Sequence, residues 1–279
     1  MLAAACAERE GDDIGSPIFN GTTPTGDRVE PPITTLPAPT VEAIRVPFEA
    51  PTIQSAVDQA QPGDLILIDP GIYNEEVIVS TPDIVIRGRN RNDVFIDGAH
   101  GQTTGFTVLA DGVAIENMTV RNFTGDAIAV VGDSAGVPRN RFRALHVTTS
   151  NSNGSGILLD NATNVEIRQG WFSGHGDAGV TVSGCAQCAT LITTSLAEYN
   201  ARGYSVHGTA EDVMIFSATS RNNRTGITVE DDALRAASGV SIAGNLIQNN
   251  GFTQSPSNDE AWDATFGCLL YTSPSPRDA

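Results

Sequence analysis

Gly156-Ile157-Leu158-Leu159-Asp160, Gly179-Val180-Thr181-Val182-Ser183, Gly203-Tyr204-Ser205-Val206-His207 and Gly226-Ile227-Thr228-Val229-Glu230 share one pattern, a glycine followed by a short alternating strand. Their glycines lie 23, 24 and 23 residues apart. A period in this range marks a solenoid, whose units bury little alone and share a continuous core when stacked. Strand alternation turns Ile157, Val180, Tyr204 and Ile227 inward, together with Leu159, Val182, Val206 and Val229. It turns Leu158, Thr181, Ser205 and Thr228 outward, and likewise Asp160, Ser183, His207 and Glu230.

Working outward, Ala127-Ile128-Ala129-Val130 fits as an earlier rung, and a second strand recurs in each coil at Val165-Glu166-Ile167, Leu191-Ile192-Thr193, Val213-Met214-Ile215 and Val240-Ser241-Ile242. Turns with Asn200, Asn222-Asn223 and Asn249-Asn250 follow, where asparagine takes left-handed backbone angles or bonds its stacked neighbours. Upstream, Asp64–Ile68, Val77–Val79, Ile84–Ile86 and Val94–Ile96 supply the first coils. Before them, residues 52–60 carry apolar side chains at helical spacing behind a threonine N-cap, a lid for the open end of the core. The fold expected is all-β, a right-handed parallel β-helix of about seven coils with an N-terminal capping helix. Its domain plan is a leader and tether at 1–50, the solenoid at 51–255, the start of an interrupted C-terminal part at 256–267, and a tail at 268–279.

The chain has 279 residues, 33 acidic against 16 basic, for a net charge of −17. Every basic residue is arginine, which removes any mechanism built on a lysine base or Schiff base. The negative charge disfavours nucleic acid and anionic membranes, which release no counterions to a surface of their own sign. No window is apolar enough to span a bilayer. Cys6 follows Leu2-Ala3-Ala4-Ala5, similar to the end of a bacterial lipoprotein signal, which makes Cys6 the lipidation candidate and the location extracytoplasmic. Residues 268–278 resemble the conceptual translation of a transposase sequencing adapter, so the natural chain is expected to be interrupted near Gly267.

The stretch from Ile53 to Val79, with Pro62-Gly63-Asp64 and Gly71-Ile72-Tyr73-Asn74-Glu75-Glu76-Val77, resembles the opening of the pectin-lyase-like superfamily, including pectinesterases. Their Gly-x-Tyr-x-Glu element is structural. Asn153-Gly154-Ser155-Gly156-Ile157 and Gly174-His175-Gly176-Asp177 resemble coils of polygalacturonases, but Ser155 replaces one acid and only Asp177 of the next pair remains. Inverting hydrolysis needs a carboxyl pair. Pectate lyases hold Ca²⁺ with carboxylates on the same face and use an arginine base, which brings Asp126, Asp160, Glu230, Asp231 and Asp232, with Arg202 and Arg224, into view. Ca²⁺ is the one cofactor considered, and Glu230-Asp231-Asp232 is its candidate loop, because Asp160 and Glu230 lie three coils apart. From Asp177 to Gly251 the chain is similar to exported right-handed β-helix repeat proteins of actinobacteria, on Cys185-Ala186-Gln187-Cys188, Ile192-Thr193 and Glu198-Tyr199-Asn200 to Gly203-Tyr204-Ser205.

Cys185 and Cys188 suit a structural disulfide in an exported protein, with half a metal site or a redox pair as the alternatives. His207 and Glu230 share an outward column on adjacent coils, where a carboxylate would orient the imidazole for acid–base work. The catalytic candidates are therefore His207, Glu230, Arg202, Asp160, Asp177 and Arg224. The function expected is an extracytoplasmic, monomeric β-helix that binds or processes polysaccharide, as a lyase or glycoside hydrolase if it is an enzyme. The competing class is a non-catalytic scaffold, adhesin or accessory protein.

Overall fold

Alternating β-branched and aliphatic residues separated by asparagine and glycine dictate short strands that must stack to bury their apolar side. The computed structural model of the protein describes residues 43–230 and 239–251, and the backbone of Leu270–Thr272. The chain winds repeatedly through three sheets in a fixed order, and every strand pair is parallel. In the coil of the second quoted glycine, Glu166–Arg168 belongs to the first sheet, Trp171–Ser173 to the second and Ala178–Ser183 to the third.

Eight coils, from Leu65–Ile68 through Leu270–Thr272, give a strand to all three sheets. The first sheet has one strand more, Ile44–Val46, so it counts nine strands where about seven coils were expected. The extra N-terminal strand falls inside the segment read as tether: Ile44 to Val46 pair in register with Ile66 to Ile68. Its Ile-Arg-Val triplet is too short to stand out from a polar leader by periodicity. The leader with Cys6, the acidic residues Asp231 and Asp232, and most of the C-terminal segment lie outside the described residues. Of the 268–278 stretch, only Leu270–Thr272 is described, its backbone pairing with Thr228 to Glu230.

The quoted glycine strands form the third sheet in the register their spacing predicts: Ile157, Val180, Tyr204 and Ile227 stack as one column and Leu159, Val182, Val206 and Val229 as another. All eight side chains are buried. Tyr204 is the largest, and its hydroxyl donates to the Ser195 carbonyl at 3.0 Å, which satisfies the polar tip inside the core.

The glycines themselves are required by close approach. A Cβ on Gly156 would stand 2.6 Å from the Gly179 carbonyl oxygen, and one on Gly179 would stand 2.7 Å from that of Gly203. On Gly203 it would be driven into both the Gly226 carbonyl and the Ser220 hydroxyl. Gly203→Ala is therefore expected to cost about 1–3 kcal/mol through overpacking, read as a lower midpoint in denaturant titration; an unchanged midpoint would refute the steric reading.

The lid forms as its sequence implies. Helix Ile53–Gln59 starts at Thr52, whose side chain accepts from the Ser55 N–H while the Ser55 hydroxyl accepts from the Thr52 N–H. Ile53, Ala56 and Val57 are buried against the first coils. The Gly-x-Tyr-x-Glu element gains a physical role here. Glu75 accepts the N–H groups of Ile53 and Gln54, both at 3.0 Å, placing a carboxylate at the positive end of the lid helix. Tyr73 donates its hydroxyl to the Asp69 carbonyl at 2.8 Å.

At the corner between the second and third sheets, Asn122, Asn151, Tyr199, Asn222 and Asn249 each hold a positive φ between 52° and 63°. Asparagine tolerates that region because its side chain bonds locally. The next position inside the corner carries a ladder of Asn200, Asn223 and Asn250, with His175 on the rung before it. Each asparagine oxygen accepts the backbone N–H of the preceding rung, at 2.9–3.0 Å.

Candidate functional site

The outward face of the third sheet changes chemistry along the solenoid. One column runs Ile78, Thr107, Ala129, Leu158, Thr181, Ser205 and Thr228. Apart from Thr107 it is apolar as far as Leu158, and from Thr181 it becomes a continuous row of hydroxyls. Thr228 donates to the Ser205 hydroxyl at 3.1 Å, and all three hydroxyl residues are buried. The second outward column runs Val131, Asp160, Ser183, His207 and Glu230. His207 and Glu230 are register partners as expected, and no ion pair joins their side chains among the described residues. Asp160 stands three strands from Glu230, with the Ser183 hydroxyl 3.5 Å from its carboxylate, so one calcium ion does not span the two acids. Among the described residues no three His, Cys, Asp or Glu side chains gather as a metal site.

A tighter cluster forms where the chain enters the third sheet. The Ser155 N–H donates to Asp126 Oδ1 at 2.6 Å, and the Ser155 hydroxyl donates to Asp177 Oδ2 at 3.0 Å. The same hydroxyl lies 2.7 Å from Thr181 Oγ1. Arg202 closes the row by pairing its Nη2 with Asp177 Oδ1. Four successive coils thus contribute Asp126, Ser155, Asp177 and Arg202 to one continuous polar chain. Gly154 makes room for it, because a Cβ there would collide with the Asp126 carboxylate.

Burial pushes the Asp126 carboxyl above the usual aspartate range; the nearby Asp177 charge pushes the same way, and the Ser155 N–H opposes both. The arrangement sets a carboxyl whose pKa burial raises one serine away from a carboxylate paired with arginine, two different environments of the kind that acid–base chemistry uses. Of the six catalytic candidates, the structure brings Asp177 and Arg202 into contact and leaves Asp160, His207 and Glu230 on the second column. Arg224 lies one coil beyond Arg202, its N–H donating to the Asn200 carbonyl. In the sequence Asp126 stands out only as a calcium ligand and Ser155 only as a lost acid. The signal that joins them is Asp or Ser two residues before the first inward residue of the strand, at Asp126 and Ser155, with a glycine before each.

His175, in the motif resembling polygalacturonase coils, points into the corner ladder. It is 3% exposed, its Nε2 lies 2.8 Å from Thr149 Oγ1, and burial pulls its pKa down to about 4. Cys185 and Cys188 are joined in a disulfide with Cα atoms 5.2 Å apart. The turn they close is tied to the next coil, the Cys188 N–H donating to the Glu211 carbonyl at 2.9 Å and the Glu211 N–H to that of Cys185 at 3.2 Å.

No helix among the described residues is long and apolar enough to cross a membrane. No curated protein matches the chain. Among solved structures, the complex of XylC with xylose superposes with a TM-score of 0.55 at 8% identity, covering 71% of this chain and 62% of that one. This chain therefore spans under two thirds of XylC. An alginate lyase from Paenibacillus sp. str. FPU-7 gives 0.47 at 16% identity over 69% and 91% of the two chains. The pectate lyase Pel9A gives 0.47 at 13% identity over 78% and 81%. At these identities the likeness is one of architecture. Residues 104–275 match the family described as "Right handed beta helix region", which covers the three-sheet coils from Phe106 onward. With that match over more than half its length and a parallel three-sheet solenoid to carry it, the chain belongs to the right-handed β-helix family.

Proposed function

We propose that this protein works on carbohydrate outside the cytoplasm, laying a polysaccharide strand along the outward face of the third sheet. The observation that carries this reading is the polar chain Asp126–Ser155–Asp177–Arg202, which reaches the surface at the half-buried Asp177 and Arg202. Carboxylates and guanidinium groups fixed by one another present preformed acceptors and donors to sugar hydroxyls, with little ordering cost on binding. A run across adjacent coils at about 4.8 Å each matches an extended polymer better than a compact ligand. XylC, which shares the architecture, is solved with xylose.

Retention of the protein on a glycan array tests the reading. Arg202→Ala removes a charged partner of Asp177 and should weaken retention roughly tenfold or more. Equal retention by the variant, or no retention by the parent protein, would sink it.

The raised Asp126 carboxyl favours a second reading, in which the bound strand is cleaved. Asp126 would supply the proton to the leaving oxygen, and Asp177, oriented by Arg202, would act as base. This assigns the catalytic roles to Asp126, Asp177 and Arg202, with His207 and Glu230 as the next pair along the groove. Uronic-acid polymers assayed with and without Ca²⁺ separate the two reaction classes: unsaturated ends absorbing in the ultraviolet indicate a lyase, and new reducing ends without that absorbance indicate a hydrolase. The Ca²⁺ arm also tests the acidic loop Glu230-Asp231-Asp232. A tether lipidated at Cys6 belongs to the same extracytoplasmic proposal, with the non-catalytic scaffold or adhesin as its competitor.

A further inference from the structure

The second sheet carries a separate arrangement that the third-sheet groove does not use. Its outward column runs Phe95, Thr119, Thr148, Trp171, Leu196, Thr219 and Leu246. Trp171 is 44% exposed on this open face. Its indole Nε1–H donates at 2.9 Å to Glu198 Oε1, while Glu198 Oε2 accepts from Arg221 Nε at 2.8 Å. Glu198 is only 4% exposed. Burying a carboxylate costs several kcal/mol unless both oxygens are paired, and here both are spent on fixing two exposed neighbours. The consequence is a flat aromatic ring and a guanidinium held side by side, the guanidinium bonded to Glu198 through Nε, with no bond from its Nη groups among the described residues.

We propose that Trp171, Glu198 and Arg221 form a second glycan site that takes a uronic-acid unit of an acidic polysaccharide; the choice of a sugar rests on the carbohydrate reading above. The apolar face of the pyranose would stack on the indole, and the sugar carboxylate would meet the Arg221 fork. Glu198 is a positioning residue in this site and does not touch the sugar. Local charge admits an acidic ligand despite the net charge of −17. The strands of the second sheet contain two acids and two arginines, and they are matched: Asp97 with Arg121 and Glu198 with Arg221. No excess negative charge on these strands repels a uronate. Leu196 and the exposed Leu246 extend the apolar track along the same column.

The test is calorimetric titration of the full chain with oligogalacturonate, with its methyl-esterified form and with a neutral xylo-oligosaccharide. It is repeated in an Arg202→Ala background, where the third-sheet groove is disabled. Trp171→Ala and Arg221→Gln should each lower affinity for oligogalacturonate at least tenfold, and Trp171→Phe should restore part of the loss. Each variant takes a partner from the buried Glu198 carboxylate, so its unfolding midpoint should fall, and the titrations are run well below that midpoint on protein whose circular dichroism matches the parent. Esterified or neutral ligand binding as tightly as the acid would overturn the uronate assignment. Binding abolished by Arg202→Ala and indifferent to Trp171→Ala would overturn the second site and leave the third-sheet reading standing. Binding that survives Arg202→Ala and fails with Trp171→Ala would support the second site whatever becomes of the first.

Discussion

Asn223→Ala should destabilise the solenoid by about 4 kcal/mol, because it strands several buried partners at once. Asn223 is fully buried. Its Oδ1 accepts the Asn200 N–H at 2.9 Å, and its Nδ2 faces the Ala197 carbonyl at 2.9 Å, Ser220 Oγ at 3.0 Å and Asn250 Oδ1 at 3.1 Å. Alanine takes the Asn223 amide away from the Asn200 N–H and the Ala197 carbonyl, both in the preceding coil, each at a cost of roughly 1–3 kcal/mol, and it opens a small void as well. Neighbour-to-neighbour coupling makes the damage local first. Hydrogen exchange at the Asn200 amide should therefore accelerate more than exchange in the first coils, alongside a lower unfolding midpoint. A loss under about 1 kcal/mol, with Asn200 still protected, would show that the ladder is not what holds this corner.

The register of the third sheet was legible because alternation and a fixed period act together: once Ile157, Val180, Tyr204 and Ile227 are aligned, every outward residue is placed. The asparagine turns were legible for a related reason, since asparagine takes left-handed angles more readily than other non-glycine residues, although Tyr199 holds the same angle on one rung of this corner. What could not be read were contacts that depend on how a corner bends. Asp126 and Asp177 are 51 residues apart in the sequence and belong to alternate coils, and they meet only because Ser155 bridges them with its N–H and its hydroxyl. His207 and Glu230 show the converse. Strand register makes them neighbours, yet adjacency at the backbone does not by itself close an ion pair. Trp171, Glu198 and Arg221 lie on three successive second-sheet strands, a sheet whose short Trp-Phe-Ser, Leu-Ala-Glu and Thr-Ser-Arg segments carry no strong pattern.

The fold and the candidate sites are connected through the corner ladder. At Asn200 and Asn223 the amide satisfies both neighbouring coils, and the strand that follows carries at its second position a glycine, Gly203 or Gly226, that lets the next coil approach. At the coil of His175 the rung is an imidazole instead, one coil from Ser155 and in the same turn as Asp177. The turn that delivers Asp177 to the polar cluster is thus held by a titratable group.

Acidification should consequently weaken this protein well before its paired carboxylates are protonated. The Ser152 N–H donates to His175 Nδ1 at 3.4 Å, and Nε2 lies against Thr149 Oγ1, so the buried ring is accommodated as the neutral form. Its pKa is pulled down to about 4 by burial, against 6.5 in the unfolded chain. A depressed value means that stability is present above the unfolded pKa and is lost as pH falls toward the folded one. Between pH 6.5 and about 4 the loss should approach about 3 kcal/mol, at 1.36 kcal/mol per unit. Asp126 works in the opposite sense: its raised carboxyl contributes stability at low pH that is lost as pH rises through its folded value. Asp69 and Asp97, whose carboxyls sit below the ordinary value of 3.8, lose their contribution only under more acidic conditions. Denaturant midpoints at pH 7 and pH 4.5 should therefore differ strongly for the parent protein. His175→Asn supplies the rung used by the next three coils and should remove most of that difference while leaving the pH 7 midpoint near its starting value. Equal acid losses in parent and variant would assign the sensitivity to groups other than His175.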